Sequence, residues 1–273
     1  MRKLYMDELY LFILGDRDVV YKIAEYLDKE SLSTYVVALD TEKLGYLLKV
    51  LPTLVNKKHI IIANIHDKLP SILDDISEKL RQLPVTVIDF CLNYRCNQSK
   101  AYYIHPVITT IKIVISRLRQ LYREIEELKT KIAVPKNCLA KDGNTQNVIN
   151  VIKGFLHREG VENISIEIGK EVIIEVQVAG RFRGIEKHRK LRTRLSYIDL
   201  DGNCYHQIQL VSAMLSTIIV SMKTKLQSLN LDLVNTIGSD EGFYTYFLSR
   251  LITYGWDFDI EIKNMNSMTR FIT

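Results

Sequence analysis

The sequence predicts an α/β protein with an N-terminal parallel-sheet domain, a long connecting helix and a C-terminal mixed α/β domain. Three observations carry that prediction. Short continuous apolar runs alternate with helix-patterned segments in the first third, an apolar three-four spacing is sustained through residues 106–134, and strand-like runs precede further helices beyond residue 146. The expected parts are therefore 1–105, a heptad-patterned helix at 106–134, and 146–273. With 273 residues, 47% hydrophobic and 25% charged, the chain is long enough to bury two cores and too apolar for extended disorder.

The runs Tyr10–Leu14, Thr34–Leu39, His59–Ala63 and Val85–Phe90 read as strands buried on both faces, with a fifth at Tyr102–Ile104. Val19–Lys29, Thr41–Asn56 and Asp67–Gln82 carry apolar residues at helical spacing with Asp or Thr near their starts. Strand, helix and strand repeated in this way predict parallel pairing with right-handed crossovers. From Ile111 the apolar positions Val114, Leu118, Leu121, Ile125 and Leu128 make a narrow seam, the pattern of a helix that meets its own copy in a homodimer. Pro135 and the run 141–145 then read as a linker.

A helix at Gln146–Arg158 opens the second domain. Ile164–Ile168 and Val172–Val178 follow as strands, expected to form a hairpin around Gly169 and Lys170. Arg194–Leu200 and Tyr205–Leu210 read as another strand pair. A buried helix at Val211–Leu229, a strand at Leu231–Ile237, a helix at Gly242–Tyr254 and a strand at Asp257–Ile262 complete the chain.

Charge singles out one segment. The chain carries 37 basic and 32 acidic side chains, a net charge of +5. Between Arg181 and Arg194 stand Arg181, Arg183, Lys187, Arg189, Lys190, Arg192 and Arg194 against Glu186 alone, a local charge of +6 that leaves the remainder near −1. Arginine presents a planar fork that grips phosphate oxygens in pairs, so this basic loop is the expected contact with nucleic acid, DNA or RNA, with Phe182 and Tyr197 as stacking surfaces. The alternatives are an acidic partner and a contact with a neighbouring subunit in an assembly.

Few catalytic patterns are present. The four cysteines form no C-x-x-C pair, so no metal is expected and reduced thiols are. Asp7 and Glu8 precede any apolar run long enough for a signal peptide, and polar residues interrupt the uncharged stretch 202–222, so a cytoplasmic protein without a membrane contact is expected. The first strand ends at Gly15 and leads into a helix, and the second ends at Asp40, which resembles the Rossmann-like dinucleotide-binding family over about ninety residues. Arg17 and Val20 stand at the other glycine positions of that fingerprint, so no cofactor is expected. The layout of nucleotide-fold domain, helix and appended α/β domain resembles the CARF-domain sensors of CRISPR defence. That resemblance implies a ligand crevice lined by Gly15, Arg17, Asn64 and His66. The strand order expected in the second domain is similar to the RNase H-like nucleases in a degenerate form, which implies Glu175 and Asp232 as metal-holding carboxylates of a nuclease. The helix at Val211–Leu229 carries no acid to complete such a centre. The expectation is therefore a non-catalytic nucleic-acid-binding or regulatory protein, with a scaffold or ligand-sensing first domain.

Overall fold

In the computed structural model the chain forms two compact units, one of residues 1–106 with 207–236 and one of residues 107–206 with 237–273. The structure describes residues 9–28, 34–54, 59–66, 79–83, 85–92, 103–139, 145–184, 188–198, 203–225 and 232–264.

The first unit is built on a parallel sheet. Strands β1 (Leu9–Gly15), β2 (Tyr35–Asp40), β3 (His59–His66), β4 (Thr86–Cys91) and the short β5 (Tyr103–Ile104) lie in the order β2-β1-β3-β4-β5. The strand order reverses between β1 and β3, where Leu14 is in register with Asn64. Leu11 to Leu14 of β1 and Ile60 to Ala63 of β3 are continuous apolar, buried runs because both faces are covered. Helix α1 (Arg17–Asp28) buries Val20, Ile23 and Leu27. After a short 3-10 turn (Thr41–Lys43), helix α2 (Leu44–Leu54) lays Leu44, Leu47 and Leu51 on Phe12, Leu14, Leu39, Ile60 and Ile62. The strands and two helices expected here are all present. Of the third expected helix, Asp67–Gln82, residues 67–78 lie outside the described residues.

The next segment departs from expectation. Helix α3 runs only over Pro106–Leu121, and Tyr122–Val134 is a 13-residue strand, β6. The sustained three-four spacing concealed a change of period, because Leu128, Thr130, Ile132 and Val134 are buried while Lys129 and Lys131 alternate with them on the other face. The proposed seam is therefore no single helical stripe. Ile111, Val114 and Leu118 lie on α3 and are already buried within the chain, whereas Ile125 and Leu128 belong to a strand.

The second unit contains a five-stranded mixed sheet. A short helical turn α4 (Lys136–Leu139) follows β6, and helix α5 (Thr145–Arg158) carries the chain to β7 (Asn163–Ile168), parallel to β6. The expected hairpin at Gly169 does not form. Gly169 donates its N–H to the Val134 carbonyl at 3.2 Å, so the chain passes over the end of β6, and β8 (Glu171–Phe182) pairs with β6 on its far side. Strands β8 and β9 (His188–Ile198) make the true hairpin.

Residues 205–210, expected as a strand, are the first turns of helix α6 (Tyr205–Lys225). That helix buries Ser212 and Thr217 by returning each hydroxyl to the carbonyl four residues back, at 2.8 and 2.7 Å. Residues 233–237, expected as strand, belong to helix α7 (Leu233–Ser239), which Asp232 caps through the Asn235 N–H at 3.2 Å. Helix α8 (Glu241–Thr253), capped by Asp240, precedes strand β10 (Asp257–Asn264), antiparallel to β9. The resulting order β10-β9-β8-β6-β7, with an antiparallel last strand and a helix at Leu233–Ser239, is not the RNase H-like order.

The cysteines also differ from expectation. Cys138 is joined to Cys204 across 66 residues with Cα atoms 5.5 Å apart, and Cys91 is disulfide-bonded too. Closing a loop of that length stabilises the fold by about 4 kcal/mol in the chain-entropy account. Among the described residues no helix is long and apolar enough to cross a membrane.

Candidate functional site on the second sheet

The basic segment is not a loop but, for most of its length, paired strand. In β9, Leu191, Thr193 and Leu195 alternate inward, which places Lys190, Arg192 and Arg194 on the opposite face of the sheet. Cross-strand register then fixes their neighbours. One row reads Asp259, Arg194, Glu175, Lys131 and Ser165 across β10, β9, β8, β6 and β7. The next reads Glu261, Arg192, Gln177, Lys129 and Asn163. Opposite charges face each other across the first three steps of the first row and the first step of the second.

Side-chain contacts follow the rows and their diagonals. Arg192 reaches Asp259 at 3.2 Å and Glu261 at 3.4 Å, and the bond to Asp259 holds its guanidinium still more firmly protonated. Arg194 reaches Glu171 at 3.2 Å, and Arg181 lies 3.6 Å from Glu124. Lys131 meets Glu167 at 2.8 Å and Lys263 meets Glu261 at 2.7 Å, and each lysine holds its carboxyl below the usual range by that hydrogen bond. These pairs are solvated and contribute little to stability. Their larger effect is on the field, because within the ~8–10 Å reach of a charge in physiological salt each of these cations is accompanied by an acid.

The rest of the basic segment lies at the hairpin end. Arg183 donates its Nε–H to the Tyr122 carbonyl at 3.0 Å, and Arg189 stands 5.2 Å over the ring of Phe182. Lys190 faces Lys263 in register and adds to the positive field around Glu261. Lys187 lies outside the described residues. Phe182 and Tyr197, considered as stacking surfaces for bases, are engaged within the fold: Phe182 packs edge-on against Tyr122, with centroids 5.3 Å apart, and Tyr197 stacks on Trp256 at 5.4 Å. Two shallow depressions mark the sheet face, one of about 330 Å³ between Lys129, Lys131, Ser165 and Glu175, the other of about 140 Å³ between Lys190, Arg192 and Glu261.

The carboxylates considered for a nuclease have structural partners. Glu175 is 9% exposed, accepts from Gln177 Nε2 at 2.6 Å, and stands between Lys131 and Arg194 in the ladder. Asp232 holds Asn235 through both its oxygens, as the cap of α7 rather than a ligand on a strand. Among the described residues no group of three or more His, Cys, Asp or Glu side chains could hold a metal ion.

In the first unit, Gly15 and Asn64 do flank the switch point between β1 and β3. A side chain at Gly15 would put its Cβ 2.7 Å from the Ile65 carbonyl oxygen, so close approach of strand and turn already requires a glycine there. Asn64 is fully buried and donates to Asp89, which Arg81 also holds, while Asn64 Oδ1 has no hydrogen-bond partner among the described residues. Arg17 is exposed, 5.9 Å from the Tyr21 ring. The side chain of His66 lies outside the described residues.

The residues that sequence reasoning missed are the acids Glu124, Glu171, Asp259 and Glu261. A signal for them exists in the period-two carboxylates Asp257, Asp259 and Glu261, which match the period-two cations Lys190, Arg192 and Arg194.

No family model matches the sequence, and no curated protein matches it either. Among solved structures, that titled crystal structure of Ari2 is similar at 10% identity, covering 79% of this chain and 72% of the other, with a TM-score of 0.26. Pyridoxal kinase from Leishmania donovani in complex with ADP and pyridoxine is similar at 8% identity, covering 93% and 99%, with a TM-score of 0.32. Scores this low carry no argument about fold or function.

Proposed function

We propose that the chain is a non-catalytic binding protein that meets an anionic partner, nucleic acid in the first instance, at the end of the β8–β9 hairpin. The contact is narrower than the whole segment Arg181 to Arg194. The observation that supports it is the uneven placement of acids: Arg192 and Arg194 stand beside carboxylates, whereas among the described residues no carboxylate lies within ion-pair distance of Arg183, Arg189 or Lys190. A phosphate approaching the hairpin end meets Arg183, Arg189 and Lys190, with the carboxylates there drawn to Arg181, 3.6 Å from Glu124, and to His188, 3.1 Å from Glu126, whereas one approaching the middle of the sheet meets Asp259, Glu261 and Glu175 as well.

The consequence is measurable as salt dependence. Each phosphate contact contributes about −0.9 to the slope of log K against log salt on duplex DNA, so about three contacts give a slope near −3, against about −4 to −6 if most of the segment engaged. Arg183→Ala should flatten that slope by about one unit without loss of folding. A slope of about −5 that Arg183→Ala leaves unaltered would contradict the narrow contact.

A second reading is favoured by the ion pairs themselves. If no polyanion binds at any salt concentration, Arg181, Arg192 and Arg194 are parts of a structural ladder, and the chain is an assembly protein whose partners meet its sheet. The cytoplasmic setting belongs to this proposal only for a cell whose interior sustains disulfides, as hyperthermophiles do.

A further inference from the structure

Strand β10 ends the order of the second sheet among the described residues. Among the described residues it is paired with β9 alone, in unbroken register from Asp257 opposite Ser196 to Asn264 opposite Arg189, with no bulge and no proline. Its apolar row is half bare: Ile260 is 48% and Ile262 54% exposed. Folded proteins blunt a straight edge with prolines, bulges, charged side chains or a covering segment, because unpaired N–H and C=O groups template another strand, and of these devices β10 shows, among the described residues, only the charged row.

The charged row says which strand fits. Asp257, Asp259, Glu261 and Lys263 occupy alternate positions on one face. Two copies paired antiparallel about a two-fold axis at Glu261 set Asp259 against the partner's Lys263 and Ile260 against the partner's Ile262, each twice by symmetry. The one like-charge meeting is Glu261 with its own copy, and Arg192 and Lys263 stand beside that carboxylate. Moving the axis one residue back, to Ile260, sets Asp259 against the partner's Glu261 twice. Moving it forward to Ile262 sets Glu261 against the partner's Lys263 twice, but replaces the two contacts between Ile260 and the partner's Ile262 with a single one between the two copies of Ile262 and sets Ile260 against the partner's Asn264.

We infer that β10 is a homodimer interface in which two copies pair antiparallel about Glu261, fusing two five-stranded sheets into one continuous sheet. The inference rests on the edge of β10 rather than on anion binding, although Lys190 and Arg189 lie in register with Lys263 and Asn264 beside that edge. A strand pair buries less than the ~1,000 Å² of a stable interface, so the dimer is concentration dependent.

Sedimentation of the full chain over a range of concentrations should show a monomer–dimer equilibrium. Ile260→Lys should weaken it by about tenfold or more, because every substitution removes two contacts per dimer, with circular dichroism confirming that the exposed position does not unfold the chain. The register is tested by mild oxidation: Glu261→Cys should yield a disulfide-linked dimer, and Lys263→Cys, whose two copies are four residues out of register, should not. A monomer at every concentration overturns the proposal, whether the edge is covered by residues 265–273 or by a different protein. So does a dimer indifferent to Ile260→Lys, or one that cross-links through position 263 and not 261.

Discussion

Tyr122 stands where α3 gives way to β6, and it shows what a single residue does in this sheet. Its ring is 2% exposed, its hydroxyl lies 3.4 Å from the Val178 carbonyl and 3.3 Å from that of Arg189, and Phe182 packs edge-on against it. Burial pushes its phenol up to about 12, with Arg189 pulling partly back. The fold therefore favours the neutral ring, and the stability it contributes is fully present below pH ~10 and lost as pH rises through about 12. A spectroscopic titration should show a late tyrosinate step near 12 that Tyr122→Phe removes, separate from Tyr244, which burial raises further. Ionisation of Tyr122 in the ordinary range would contradict the buried placement. At this scale the sequence revealed the cations but not their partners. Arg192 and Asp259 are 67 residues apart, and only strand register brings them together.

Elements divide by how many patterns their residues satisfy. The strands β1 to β4, the helices α1, α2, α5 and α8, and the strand β10 were legible because continuous apolar runs or helical spacing pointed one way. The segment 111–134 satisfied two patterns at once. Its apolar residues fit a heptad as well as a strand, and the choice went to β6 because β7 and β8 pair with its two edges. That pairing is irregular near its start, with bulges between Tyr122 and Glu124 and between Ile125 and Glu127. Gly180 sits opposite, and a Cβ there would collide with the Glu124 carbonyl oxygen. Gly180→Ala should therefore destabilise the chain by about 1–3 kcal/mol in denaturant unfolding, although alanine ordinarily favours a strand over glycine. An unchanged midpoint would mean that the bulge is not packed as described. The segments 205–210 and 231–237 were misread for a related reason: short apolar runs do not distinguish a strand from the first turn of a buried helix.

On the scale of the whole molecule, a local charge of +6 in the sequence becomes part of a nearly neutral sheet face. A sum along the chain treats Arg192 and Arg194 as neighbours of Arg189 and Lys190. The fold makes them neighbours of Asp259, Glu261, Glu171 and Glu175, while Arg183, Arg189 and Lys190, which among the described residues have no carboxylate at ion-pair distance, gather towards one end of a hairpin. The direct test is to remove the acids. In the triple variant Glu171→Gln, Asp259→Asn and Glu261→Gln, Arg192 and Arg194 lose the carboxylates they pair with at 3.2–3.4 Å and keep only Glu175 as an acidic neighbour in the ladder. Binding to a duplex polyanion should then tighten, and the slope of log K against log salt should steepen by about two units, ~0.9 for each released arginine. An unchanged slope would mean that those carboxylates never restrained the arginines, and that the pairing across the sheet has no bearing on what this surface binds.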